Sequence, residues 1–129
     1  MRKMKRMFYM SFAFVMIMSL PAQTIVASTD SFSNLHAVMI SSGGSLVTAE
    51  ALLSSHNENL SRVELTGKVY RENTLVYQET ITSNTEAEYR SNHNKSYNYT
   101  LVASGRTKYQ DGTYSSYKYS YAYWSASSS

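Results

Sequence analysis

The sequence predicts an all-β chain: a small antiparallel β-sandwich of immunoglobulin-like type, with about six to seven strands. Three observations predict it. Segments of alternating apolar and polar residues recur from Phe32 to Trp124, most clearly over Leu60 to Arg71. Turn chemistry separates them, at Gly43-Gly44, Glu72-Asn73 and Asp111-Gly112. None of these segments has the length and period of a long helix. A small open barrel is the alternative architecture, and the order of strands does not follow from the pattern.

The elements run in order. Phe32 to Ile40 is a mixed strand, apolar on both sides toward its end, with His36 half-buried. Ser41 to Ser45 is a turn whose glycines are free to take positive φ. From Leu46 to Leu53, one face of a strand carries Val47, Ala49, Ala51 and Leu53. The good helix formers after Thr48 make a helix the competitor there. Ser54 to Asn59 is a polar loop containing His56. In Leu60 to Arg71, Val63, Leu65 and Val69 point one way; Arg62, Glu64, Thr66, Lys68 and Tyr70 point the other. Gly67 within the apolar row predicts a bulge or a close backbone approach. Arg71 to Thr74 is a hairpin turn, with Asn73 able to take the left-handed conformation. Leu75 to Ile81 is the partner strand, with Leu75, Tyr77 and Ile81 sharing a face. Ser83 to Ser96 is polar, lacks an apolar period and reads as a long loop holding His93, with room for a short strand or helical turn at Glu86–Arg90. Ser96 to Tyr109 returns to strand, and Gly105 predicts a bulge or bend. Asp111-Gly112 suits a type I′ hairpin turn.

Beyond that turn lies the tyrosine arm, Tyr114 to Trp124. Tyr117, Tyr119, Tyr121 and Tyr123 fall at alternate positions. A strand sends alternate side chains to opposite faces, so one face becomes a ladder of four phenols and the other carries Lys118, Ser120, Ala122 and Trp124. Tyrosine offers broad, rigid contact area with a hydroxyl at its tip, and flat aromatic rows stack on sugar rings or bases. Tyrosine also has high strand propensity, so the same ladder suits the closing strand of a core. A one-residue slip in register exchanges the two faces.

The N-terminus reads as an address. Arg2, Lys3, Lys5 and Arg6 precede an apolar run from Met7 to Leu20, then Pro21 and a short polar stretch to Ala27. A basic start, a short apolar segment and a small residue at the cut describe a secretory signal peptide over 1–27. The run is shorter than the roughly 18 residues of a membrane span. The expected divisions are therefore 1–27 signal peptide, 28–124 a single β-sandwich domain and 125–129 a polar, disordered tail, the product being secreted with no membrane span. Four of the twelve basic residues belong to the signal segment, which turns the formal charge of +3 into −1 for the remainder. The basic pI of the whole chain is thus no signature of nucleic-acid binding. The remaining charge is uneven: residues 28–88 are acidic and residues 89–129 basic. Either both halves mix over one body, or a basic, tyrosine-rich side faces an anionic polymer.

No reaction chemistry is legible. Cysteine is absent, and His36, His56 and His93 have no zinc-site spacing. No serine sits in a nucleophile elbow, and Ser42-Gly43-Gly44 is a turn between strands rather than a phosphate cradle. Glu86 and Glu88 would share a strand face, where mutual repulsion suits solvated residues. Three Asn-X-Ser/Thr triplets, at Asn59, Asn94 and Asn98, are expected by chance in a chain so rich in these residues. No catalytic residue, metal or cofactor is expected.

The signal peptide, the Thr48-Ala49 strand after a Ser/Gly turn, the Val63–Tyr70 alternation and the late tyrosine-rich hairpin around Gly112 together resemble the uncharacterised small secreted proteins of Gram-positive bacteria with an immunoglobulin-like sandwich. Those families carry no established activity, so the resemblance implies a fold and no site residues. A fainter similarity is to lactococcin 972-type bacteriocins, whose chains also end in an aromatic cluster closed by Trp; this chain is longer and lacks their N-terminal tryptophan. The expectation is a secreted, non-enzymatic β-sandwich that binds a cell-envelope glycan, an anionic wall polymer or a protein. The candidate residues are Tyr117, Tyr119, Tyr121, Tyr123, Lys118 and Lys108. A secreted bacteriocin or toxin-like protein is the alternative, and the oligomeric state is left open.

Overall fold

The computed structural model describes residues 28–41 and 43–126. The expected signal peptide and the last three residues of the expected tail lie outside the described residues. Seven strands are described: β1 (Ser33–Ser41), β2 (Leu46–Ser55), β3 (Leu60–Arg71), β4 (Thr74–Ser83), β5 (Glu86–Asn94), β6 (Tyr99–Tyr109) and β7 (Lys118–Trp124). They form two antiparallel sheets, β1-β2-β5 and β4-β3-β6-β7, packed face to face as a sandwich. The architecture is immunoglobulin-like, with one difference from the constant-domain arrangement. The fourth strand joins the sheet of the third rather than the sheet of the fifth.

The core follows from period-two alternation. Val47, Ala49, Ala51 and Leu53 of β2 face Val63, Leu65 and Val69 of β3, with Leu101 and Ala103 of β6; Ala122 of β7 closes one side. The helix that competes for Leu46 to Leu53 does not form. As a strand the segment buries all four of its inward side chains, and the short run could not bury them as a helix of barely two turns. Many inward residues are small, so the sheets need large knobs to fill the gap between them. Tyr89 of β5 and Leu53 of β2 supply these. A Cβ placed on Gly67 would lie 2.6 Å from the Tyr89 ring, and one on Gly105 would lie 2.7 Å from Leu53 Cδ2. Each glycine is a socket. Of the two readings of Gly67, close approach holds, and Gly105 likewise pairs in register with Leu65.

Several local expectations are corrected. The polar stretch Ser83 to Ser96 is not a long loop. It contains β5, whose inward row is Ala87, Tyr89, Ser91 and His93, half polar and therefore without apolar period. Asn73 is not the left-handed residue of the β3–β4 turn; Glu72 is, at φ 59°. Leu75 and Tyr77 do not share a face. Val69 pairs with Tyr77 and Tyr70 with Leu75, so Val76 is an extra residue that flips the strand. The Asp111-Gly112 turn is not type I′, which needs two positive φ values. Only Gly112 has one, at 91°. Gly112 N donates to Tyr109 O (2.9 Å) and Tyr109 N to Thr113 O (2.8 Å), the pattern of a three-residue loop with glycine in the left-handed position. His36 is exposed rather than half-buried, because it lies on the outer face of β1 opposite Leu52.

His93 moves furthest from expectation. It leans inward from β5 between the rings of Tyr77 (6.1 Å) and Tyr99 (5.2 Å). Its Nε2 hydrogen-bonds Ser91 Oγ at 2.7 Å, and that oxygen bonds the Tyr89 hydroxyl at 2.7 Å. The Tyr99 hydroxyl donates to Asn94 O (2.8 Å), and Glu79 Oε1 accepts from the Tyr77 hydroxyl (3.3 Å). The bonds through Ser91 and His93 satisfy the polar tip of the fully buried Tyr89. Burial pushes the Tyr89 phenol up to about 12, against the opposing hydrogen bond from Ser91. Burial also holds the His93 imidazole below its ordinary 6.5.

Two predictions follow from this core. Gly67→Ala should cost about 1–3 kcal/mol, read from urea unfolding, because the Tyr89 ring is held by the opposite sheet and cannot withdraw without strain. An unchanged midpoint would mean that the two sheets are free to spread. The second concerns pH. The unfolded chain takes up the His93 proton at a higher pH than the folded chain does, so stability is full above 6.5 and declines as pH falls through that value. His93→Gln should flatten the stability profile between neutral pH and the range where carboxylates titrate; a variant with the parental slope would assign it to another group.

Candidate binding face

The outer face of the four-stranded sheet is built by the residues that the core excludes. Register sets them in rows from β4 across to β7. One row is Thr80, Thr66, Ser104 and Tyr119; the next is Gln78, Lys68, Val102 and Tyr121; the third is Leu75, Tyr70, Thr100 and Tyr123. The β6 positions of these rows are the small Ser104, Val102 and Thr100, and the phenols stand along the β7 edge, the Tyr117 and Tyr119 rings 6.3 Å apart. Tyr117, Tyr119, Tyr121 and Tyr123 are 43%, 59%, 54% and 71% exposed. Their four hydroxyls have no hydrogen-bond partner among the described residues. The arm is thus core on one side and ladder on the other: Ala122 is buried, and Trp124 Nε1 donates to Lys95 O at 3.1 Å.

The two candidate lysines part company. Lys108 lies on the ladder face, where its Nζ sits 5.6 Å from the centre of the Tyr114 ring. Lys118 does not. It pairs with Gly105 on the inward side, and its Nζ donates to Ser33 O of β1 at 2.6 Å. The alternation that makes the ladder also removes Lys118 from it, so this lysine is a bridge between the two sheets.

Other cations join the face instead. Glu64 accepts from Arg106 Nε at 3.0 Å through one oxygen and from Arg62 Nη2 at 2.9 Å through the other. Burial alone would raise the Glu64 carboxyl; the hydrogen bonds from Arg106 and Arg62 overcome this and hold it below its ordinary range. The Arg106 guanidinium lies 3.9 Å over the Tyr114 ring and 4.9 Å from the Tyr117 ring centre. Arg62, Lys68, Arg106 and Lys108 thus stand against a single carboxylate on this face, and neither lysine has a carboxylate within 4.0 Å among the described residues. The opposite outer face, on β2 and β5, carries Glu50, Glu86 and Glu88 with Arg90, whose Nη2 is 2.7 Å from Glu50 Oε2. The two outer faces thus differ in balance: cations outnumber carboxylates on one, and carboxylates outnumber cations on the other. Sequence reasoning missed Arg62, Arg106, Lys68 and Tyr114 as members of the face. The parity of Arg62 and Lys68 within β3 was a usable signal; the pairing of β3 with β6, which brings Arg62 to Lys108, was not.

Among the described residues, no three His, Asp or Glu side chains converge closely enough to hold a metal ion. No protein-family model matches the chain, and no curated protein matches it. Solved structures with a similar course of chain include the solution structure of CsgH of R. palustris, at 9% identity and a TM-score of 0.40, covering 74% of this chain and 94% of that one. Another is beta-glucuronidase 2 of Bacteroides uniformis, at 14% identity and a TM-score of 0.36, where the match covers 67% of this chain and only 12% of the enzyme.

The separation of Lys118 from the ladder is open to a direct test. Lys118→Met keeps the apolar stem and removes the bond to Ser33 O. It should lower stability by about 1 kcal/mol in chemical unfolding. A variant as stable as the parent would show that the bridge contributes nothing.

Proposed function

We propose that this chain is a secreted, non-enzymatic β-sandwich that holds an anionic polymer of the cell envelope, a charged glycan or wall polymer, on the outer face of its four-stranded sheet. The observation that carries this reading is the unbroken row of four exposed phenols beside a cluster of cations. Single exposed aromatics are ordinary; a contiguous row is not, because it leaves a large apolar area in water for no gain in folding. Stacked on sugar rings, the same area is buried, and the free hydroxyls can bond to the polymer. Lys68 and Lys108 add attraction for negative charge, Glu64 on the same face is already paired with Arg62 and Arg106, and Glu50, Glu86 and Glu88 lie on the opposite sheet. The phenols run in a row along one strand, which suits an extended chain more than a small molecule.

Binding to isolated cell walls tests the reading. Tyr119→Ala combined with Tyr121→Ala should reduce retention at least about tenfold while leaving the unfolding midpoint within about 0.5 kcal/mol of the parent, since both rings point away from the core. Retention of the parent should also weaken as salt is raised. If the double variant is retained as well as the parent, the ladder is not the binding face.

A further inference from the structure

A cavity of about 490 Å³ lies away from the tyrosine ladder. It opens at one end of the sandwich, between the β2–β3 loop and the tip of the β6–β7 hairpin, and is lined by Asn57, Asn59, Tyr109, Gln110 and Asp111. Its size falls in the range of small-ligand sites.

The two loops that form it are held in place from beneath. Asp30 is 3% exposed and accepts hydrogen bonds from Phe32 N (2.9 Å), Ser55 Oγ (3.0 Å) and Asn57 Nδ2 (3.2 Å). Asn57 in turn accepts from Asn59 N through Oδ1 at 2.8 Å. Gln110 N donates to Asn59 O at 2.8 Å, which ties the second loop to the first. At the hairpin tip, Asp111 Oδ1 accepts from Thr113 N (2.9 Å) and Thr113 Oγ1 (2.6 Å). These bonds use the backbone, Asn57 and one oxygen of Asp111. They leave the side-chain amides of Asn59 and Gln110, the Tyr109 hydroxyl and Asp111 Oδ2 without a partner among the described residues.

The unpartnered groups offer donors and acceptors side by side, next to an aromatic ring. Vicinal hydroxyls need that mixture, and the ring suits the C–H face of a pyranose. No cation lines the cavity, and Asp111 sits in its wall, so an anionic ligand is disfavoured there. We infer that this cleft binds a neutral sugar residue, through the Asn59 and Gln110 amides and the free Asp111 oxygen, beside the Tyr109 ring. The inference does not depend on the ladder: residues, ligand charge and position all differ.

The test is amide chemical-shift titration of the full chain with neutral tetrasaccharides of glucose and of N-acetylglucosamine, and separately with calcium chloride. Shifts from one tetrasaccharide, concentrated on residues 57–59 and 109–111 with a dissociation constant of about 1 mM, are expected. Asn59→Ala with Gln110→Ala should weaken that binding at least about tenfold. Both side chains are exposed and unpartnered, and an otherwise unchanged spectrum certifies the fold. Tyr119→Ala with Tyr121→Ala should leave the binding as it was, which separates this site from the ladder. No shift with either sugar, shifts that survive in the Asn59/Gln110 variant, or shifts with calcium alone would overturn the inference.

Discussion

The fit of the Tyr89 ring over Gly67 sets the terms for the rest of this domain. With no disulfide available, the two sheets are held by burial and hydrogen bonds alone, and many of the side chains between them are alanine or valine. Small residues let sheets approach but fill little volume. One tyrosine and one leucine, seated against two glycines, fill it. Truncating a ring buried this way typically costs about 3–5 kcal/mol, a large share of the roughly 5–15 kcal/mol that a domain has in all. The choice of tyrosine then has a chemical consequence. Its hydroxyl needs a partner inside the sandwich, Ser91 provides it, and His93 completes the chain. A titratable ring is thereby built into the packing.

Elsewhere the sheets are joined at their margins by polar bridges. Lys118 reaches from β7 to β1, Trp124 reaches the loop after β5, and Asp30 ties the segment before β1 to the end of β2. Asp30 keeps its charge despite burial, because the Phe32 amide, Asn57 and Ser55 bond to the ionised form. The neighbouring Thr107 Oγ1 has no hydrogen bond of its own within 3.5 Å. Because every inward position is committed to filling or bridging, the outer faces are free to differ. One became cationic and aromatic, the other acidic.

How much of this was legible in the residues depends on whether local pattern or long-range pairing decides the point. In β3, apolar and polar residues alternate without exception around Gly67, and strand, face and close approach all follow from that. The ladder follows from the same rule, but its exposure does not: only the pairing of Leu101 with Ala122 shows which side is buried. β5 was opaque because Ser91 and His93 turn inward, half-buried, to serve the Tyr89 hydroxyl, a reason that lies in another residue. Val76 was opaque because a bulge is a relation between two strands. The cationic cluster needed Arg62 of β3 beside Lys108 of β6, and nothing near either residue records that neighbour.

That extra residue, Val76, has a consequence for how the molecule behaves among its own kind. β4 is an outer strand without a lysine or proline, and Leu75, Val76 and Tyr77 are all exposed. A flat strand of such composition is a template for pairing with any other extended chain, and crowding would favour it. The bulge interrupts the ladder of free amides and carbonyls and twists the strand out of the plane that a newcomer needs. The unpaired valine and the exposed charge of Glu79 on the same strand both oppose such pairing along this edge.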